Sequence, residues 1–423
     1  MNNFQVRPWM GALIFLAVNV PAHAQETRPG PVITLREALL RAAEANPDLK
    51  ALAYELRINE GRVEQAGLRP NPSLGLEVEN VPGSGDYADG GSSELTIALS
   101  QVIELGDKRR LRVGVATAEG MLAESEISVR RLDVSAEVLR RFVRALGEQE
   151  LLTVHRHRLE LAERTLTAVE ARVAAARSPA AELHRAKAAR DRALLEQRAG
   201  ESNLRVSLLR LSALWGETPS SISSVKADLY ALPAVSDFET LTARTRESPE
   251  VMNLLTEARL RDAELRLAEA QRRPNLTLGA GIRRLEETDD VAMVFSVELP
   301  LTLYDRNQGN IRAAQAHREQ ADALLAAQLT RANADLSGYY QELLQSRQQM
   351  EFLKDQVLPE LEEALTLTET VYKRGRYSYL ELADAQRSVV ETHAAIIESA
   401  TRYHALLAEI ERITGQPLAL PAH

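Results

Sequence analysis

The chain is written twice, and this repetition limits what its 423 residues can fold into more than any other feature. Arg69-Pro70-Asn71 answers to Arg273-Pro274-Asn275, 204 residues further on. Leu105-Gly106-Asp107-Lys108 answers to Leu303-Tyr304-Asp305-Arg306 at an offset of 198. Ser178 and Ser378, 200 residues apart, each precede a late helix. Leu214-Trp215-Gly216-Glu217-Thr218-Pro219 answers to Ile413-Thr414-Gly415-Gln416-Pro417 at 199. Four matches in one order at nearly one spacing predict two structural repeats, at 25–219 and 237–417, with a connector at 220–236 and a tail at 418–423. The period is too long for an ordinary solenoid, whose repeats run to roughly 20–50 residues.

Each repeat predicts the same order: a helix, two strands, a very long helix and a shorter one. The strands show as strict alternation. Leu74, Leu76 and Val78 alternate with Gly75, Glu77 and Glu79, and Leu95, Ile97 and Leu99 with Thr96, Ala98 and Ser100. In the second repeat Leu276, Leu278, Ala280 and Ile282 alternate with Thr277, Gly279, Gly281 and Arg283, and Met293, Phe295, Val297 and Leu299 with Val294, Ser296 and Glu298. No proline interrupts 107–177, so one helix there is ~105 Å long if continuous. Its counterpart, 308–374, contains Pro359, a predicted kink. Apolar residues recur every seven positions, at Leu152, Leu159, Leu166 and Val173, and at Leu336, Leu343, Met350, Val357, Ala364 and Val371. That spacing predicts left-handed supercoiling of the long helices.

Residues 1–24 read as a signal peptide, with Arg7, an apolar stretch from Trp9 to Val20 and a small-x-small site at Ala22-His23-Ala24. The chain has no cysteine, which excludes disulfides, thiolate metal sites, cysteine nucleophiles and a lipid-modified N-terminal cysteine. A net charge of -9 with 4% aromatic residues argues against nucleic acid as a partner. No Walker lysine loop, dinucleotide fingerprint, His-Glu-x-x-His or nucleophile elbow is present, and no histidines pair at i, i+4. The expectation is therefore no enzyme, no cofactor and no metal site.

The strands hold about eight to ten residues each, the length of a tilted membrane-spanning strand (~9–11). One face is apolar. The other carries Glu77, Glu79, Thr96, Ser100, Thr277, Arg283, Ser296 and Glu298, expected to face a wet lumen. A membrane sheet has to close, because an open edge leaves backbone groups unpaired in hydrocarbon. Four strands cannot close alone. Two chains would make eight, a barrel filled by its own side chains, while three would make twelve and leave a lumen. The residues thus predict a homotrimer of mainly α chains sharing one membrane β-barrel. A periplasmic coiled-coil scaffold or adaptor without a pore remains the alternative at this level.

The chain as a whole resembles the TolC-like outer-membrane efflux family, from Thr34-Leu35-Arg36-Glu37-Ala38-Leu39 to Ile413-Thr414-Gly415. Pro70-Asn71-Pro72, Gln101-Val102-Ile103-Glu104-Leu105-Gly106-Asp107-Lys108-Arg109, Leu299-Pro300-Leu301 and Asp305-Arg306-Asn307-Gln308-Gly309-Asn310 resemble its cobalt–zinc–cadmium branch. Asp107 departs from that branch, standing where a second glycine is expected. The resemblance implies a twelve-stranded outer-membrane barrel over a periplasmic α-barrel, acting as the exit duct of a tripartite RND-type efflux system for heavy-metal cations or, alternatively, organic compounds. Its implied partners are further copies of itself, a periplasmic adaptor (membrane fusion) protein, an inner-membrane RND pump and outer-membrane lipid. Asp107 and Asp305 would cap helices at the strand-to-helix junctions. The tips around Arg177, Ser178 and Glu182, and around Gly375, Ser378, Glu381 and Asp384, would form the periplasmic mouth where the adaptor docks. Ser178 and Ser378 would cap the helices there, Gly375 would take the turn, and the three acids would favour cations.

Overall fold

The computed structural model describes residues 30–415. The expected signal peptide (1–24) and tail (418–423) lie outside the described residues. The elements run β1 (Val32–Thr34), α1 (Leu35–Ala45), α2 (Pro47–Gly67), β2 (Ser73–Glu79), β3 (Glu94–Ile103), α3 (Lys108–Ala174), α4 (Ala180–Ser212) and β4 (Ser224–Lys226). The order then recurs with α5 (Phe238–Thr245), α6 (Pro249–Ala270), β5 (Leu276–Leu285), β6 (Asp290–Glu298), α7 (Gln308–Phe352), α8 (Leu358–Lys373) and α9 (Tyr379–Thr414).

Local chemistry sets these boundaries. Asn46 ends α1 and starts α2, and Ser248 starts α6 two residues after Arg246 closes α5. The Asn46 and Ser248 side chains accept from the amides of Leu49 (3.0 Å) and Val251 (3.4 Å), and a proline follows each at the first helical position, where its missing N–H costs nothing. With no proline within it, α3 runs unbroken for 67 residues, about 100 Å.

Pro359 has a subtler effect than a plain kink. The five residues Leu353–Val357 form a π-turn just before it, which absorbs the lost hydrogen bond by inserting one residue. The seven-residue seam therefore slips. Leu336, Leu343 and Met350 are buried as expected, but Ala364 is exposed. Beyond the π-turn, Leu358, Leu365 and the buried Tyr372 pack inward in place of Val357, Ala364 and Val371.

The main core gathers α1, the middle of α3, the end of α4, β4 and the middle of α9 around Phe142, Leu139, Leu211 and Ala400. β1 pairs in parallel with β4, which ties the segment after α4 back to the residues that precede α1. A second cluster joins α5, α7 and α9 around Leu336, Leu343, Tyr403 and Ile410. The remaining strands form one antiparallel sheet in the order β2-β3-β5-β6, so the hairpins of the two repeats meet through β3 and β5.

Candidate functional site

The sheet has two chemically distinct faces, set by the register. The row Leu74–Leu99–Ala280–Phe295 runs across all four strands, and the next row on that face is Leu76–Ile97–Ile282–Met293. These side chains pack against nothing: Leu74 is 75% exposed and Phe295 72%. All eight residues expected in a lumen lie on the opposite face, in rows such as Ser73–Ser100–Gly279–Ser296 and Glu77–Thr96–Arg283–Ala292. Arg283 organises that face. Its guanidinium donates to Thr96 Oγ1 (2.9 Å), Glu94 (2.6 Å) and Glu79 (2.7 Å), linking three strands and both repeats. The charge is thereby paired within the sheet by three charge-assisted or polar hydrogen bonds. Gly281 is small for a packing reason, because a Cβ there would stand 2.5 Å from the Ile97 carbonyl oxygen.

At the strand-to-helix junctions the capping expectation needs correction. Asp107 does occupy the N-cap position of α3, but its φ is +60° and its side chain makes no cap bond. It pairs with Arg110 instead, at 3.0 Å. The N-cap of α7 is Asn307, at φ +57°, while Asp305 accepts from the Asn307 amide at 2.9 Å. The two junctions thus correspond at Asp107 and Asn307. A left-handed residue is required at both, and Asp and Asn are the non-glycine types that tolerate it best. This also explains how Asp107 can stand where a glycine was expected.

The helix tips are fastened to each other. The α3–α4 and α8–α9 turns share one design: Arg177 donates to the Arg172 carbonyl (2.8 Å) and Arg376 to the Val371 carbonyl (3.2 Å). The left-handed residue is Ala176 (φ +54°) in the first turn and Gly375 (φ +80°) in the second. Arg172 Nη1 donates to the Tyr372 carbonyl at 2.7 Å, and its guanidinium carbon sits 4.5 Å over the Tyr372 ring. Val169, Ala186, Tyr372, Tyr379 and Leu382 close a small apolar core beneath. Burial pushes the Tyr372 pKa up, so its phenol stays protonated.

Ser378 caps α9 as expected, in a capping box whose Glu381 carboxylate accepts from the Ser378 amide at 2.7 Å. Ser178 does not cap α4. That helix starts after Pro179, and the Ser178 hydroxyl accepts instead from Arg172 Nε at 3.0 Å. Arg177 is exposed, Glu182 is half-buried, and Asp384 is exposed beside Arg387 at 3.6 Å. Sequence reasoning missed Arg172 and Tyr372, whose partnership is visible only once the repeats meet. It also missed a cleft of about 290 Å³ near the tips, between α3, α4 and α9, lined by Arg158, Arg185, Arg192 and Arg387.

A sheet with one bare apolar face, set at the end of helices about 100 Å long, is the architecture of the TolC-like channel proteins. The chain belongs to the outer membrane efflux protein family, whose sequence profile matches residues 38–217 and 244–416. It is 30% identical over 397 residues to the cobalt-zinc-cadmium resistance protein CzcC of Cupriavidus metallidurans, covering 94% of this chain and 93% of that one. It is 26% identical over 329 residues to the nickel-cobalt-cadmium resistance protein NccC of Alcaligenes xylosoxydans xylosoxydans, covering 77% and 73%. The fold matches the outer membrane protein VceC of Vibrio cholerae with a TM-score of 0.73 at 20% identity, over 90% of this chain and 96% of that one. The resemblance read from the sequence is thus the right family.

Proposed function

We propose that three copies of this chain form the outer-membrane exit duct of a tripartite RND-type efflux system for heavy-metal cations. One observation carries the reading. The sheet ends in two unpaired edge strands, β2 and β6, and bares one apolar face. β6 runs opposite to β2, so β6 of one copy can pair antiparallel with β2 of the next, and three four-stranded sheets close as twelve. The polar face then lines a lumen through Glu77, Glu79, Thr96, Ser100, Thr277, Arg283, Ser296 and Glu298. The long helices, α3 and α7–α8 with their partners, extend the duct as an α-barrel through the periplasm.

The remaining assignments of this reading come from the sequence. The repeats are 25–219 and 237–417, joined by 220–236. Residues 1–24 are cleaved on export, and the absence of cysteine leaves no lipid anchor site. The fastened tips, with Arg177, Ser178, Glu182, Gly375, Ser378, Glu381 and Asp384, are the mouth offered to a periplasmic adaptor and, through it, to an inner-membrane pump. The metal cargo is favoured by the resistance named for two relatives that match most of the chain. Deleting the gene in its host, with redundant ducts removed, should lower tolerance to cobalt, zinc, cadmium or nickel. Unchanged metal tolerance with lost resistance to hydrophobic drugs would reassign the cargo to organic compounds.

A further inference from the structure

The two ends of the sheet carry opposite charge. β2 and β5 enter the sheet, and β3 and β6 leave it, at the end from which the long helices depart. The four segments at that end, 65–72, 104–110, 269–275 and 299–306, hold seven Lys or Arg against four Asp or Glu. The far end, 79–94 and 283–290, holds two Arg against eight Asp or Glu.

At the helix-side end most of the acids are already engaged. Glu104 is paired with Arg112 (3.1 Å through its second oxygen), Asp107 with Arg110 (3.0 Å) and Asp305 with the Asn307 amide (2.9 Å). Glu269 is exposed. Lys108 is buried, donating to Asn275 Oδ1 at 2.6 Å. Arg69, Arg109, Arg272, Arg273 and Arg306 are all exposed and, among the described residues, none forms an ion pair.

The apolar face leads straight into this basic end. It continues past the last hydrogen bond of β6, at every second residue from Val291 to Leu303, all exposed. Within β6 the stripe from Val291 to Val297 is about 20 Å along the strand, and Leu299, Leu301 and Leu303 carry exposed apolar side chains on through a tight turn in which the Leu303 amide donates to the Leu301 carbonyl at 2.9 Å. Tyr304 follows, 91% exposed, and Arg306 comes two residues later. The chain thus passes from apolar side chains to an amphipathic ring to guanidinium, in the order in which a bilayer passes from acyl chain to interface to phosphate.

We propose that these arginines form a belt that binds the anionic headgroups of phospholipids in the leaflet facing the long helices. Arginine is well suited to such a belt, because its planar fork binds a phosphate bidentately and its stem can lie along apolar surface while the head reaches the headgroup. Each engaged arginine contributes about fivefold in affinity for an anionic surface. The far end keeps an excess of six acids over arginines, which repels the same headgroups, so charge also orients the sheet in the membrane. The proposal rests on the membrane-barrel reading above and adds the lipid class and the residues that choose it.

The test uses the full-length protein in detergent, titrated with phosphatidylglycerol or phosphatidylcholine and read by native mass spectrometry. Wild type should bind phosphatidylglycerol at least tenfold more tightly, with the preference shrinking as salt rises. Replacing Arg69, Arg109, Arg272, Arg273 and Arg306 together by Gln should bring the two lipids to parity. The charge-matched replacement of Arg36, Arg198, Arg205, Arg246 and Arg331, exposed and outside the belt, should leave the preference intact. Parity in wild type, a preference surviving in the belt variant, or equal loss in both variants overturns the proposal. Flotation with phosphatidylcholine vesicles separates the two readings, because wild type and belt variant should both float through the apolar face. Wild type that floats without lipid preference refutes the belt alone; wild type that stays in solution refutes the barrel and the belt with it.

Discussion

Replacing Phe295 by Arg asks directly whether the bare face of the sheet meets lipid or water. Phe295 lies inside β6, opposite Ala280, in a row that is apolar on every strand: Leu74, Leu99, Ala280, Phe295. It is 72% exposed, so the new side chain clashes with nothing within the chain. In water such a change costs no more than about 0.5 kcal/mol, and the added charge aids solubility. Facing the middle of a bilayer it costs about 2–4 kcal/mol per chain, hence about 6–12 kcal/mol for a particle of three. The assay is equilibrium urea unfolding in phosphatidylcholine vesicles, with folded trimer scored by its resistance to unheated detergent gels. Phe295→Arg should lower the folding free energy by at least 2 kcal/mol per chain, while Glu298→Arg on the polar face should stay within about 0.5 kcal/mol. Equal and small effects for both variants would refute the assignment of the apolar face to lipid.

Other consequences can be measured separately. Ala176 holds φ +54° where Gly375 fills the same position in the other tip, so Ala176→Gly should stabilise the first tip by about 0.5–1 kcal/mol, read by hydrogen exchange of the turn amides. Arg172→Met removes a charged hydrogen bond to the Tyr372 carbonyl and the contact over its ring; exchange across 372–378 should rise as the tip pairing loses about 2–4 kcal/mol. Asp384→Asn should lower cation over anion permeability in planar-bilayer recordings, and an unchanged ratio would return Asp384 to its pairing with Arg387. Burial lowers the His404 pKa, and its Nε2 donates to the Leu229 carbonyl as the neutral ring. The stability it supports is therefore complete above the ordinary histidine value of about 6.5 and is lost as pH falls below it; His404→Gln should flatten that slope in thermal melts.

Much of the fold was legible because it depends on local periodicity. Alternation in Leu74–Val78 and Met293–Val297 reports strands directly, and a proline-free run after Asp107 reports a long helix. What was not legible depends on geometry that a pattern does not carry. The π-turn before Pro359 shifts the seam by one residue, moving the buried position from Val371 to Tyr372. The left-handed conformations of Asp107 and Asn307 turn their side chains from capping to other partners. Ser178 and Ser378 look equivalent in sequence, yet Pro179 delays one helix and frees its serine for Arg172. The arginine contacts at Tyr372 and around Arg283 join residues some 200 positions apart, so they become readable only when the repeats are placed side by side.

The most direct test of the account is the number of chains in the particle released from the outer membrane by a mild detergent, counted by light scattering with the detergent mass subtracted. The account predicts three, inseparable until the sheet itself unfolds. A folded particle holding a single chain, with β2 and β6 both left open, would contradict it.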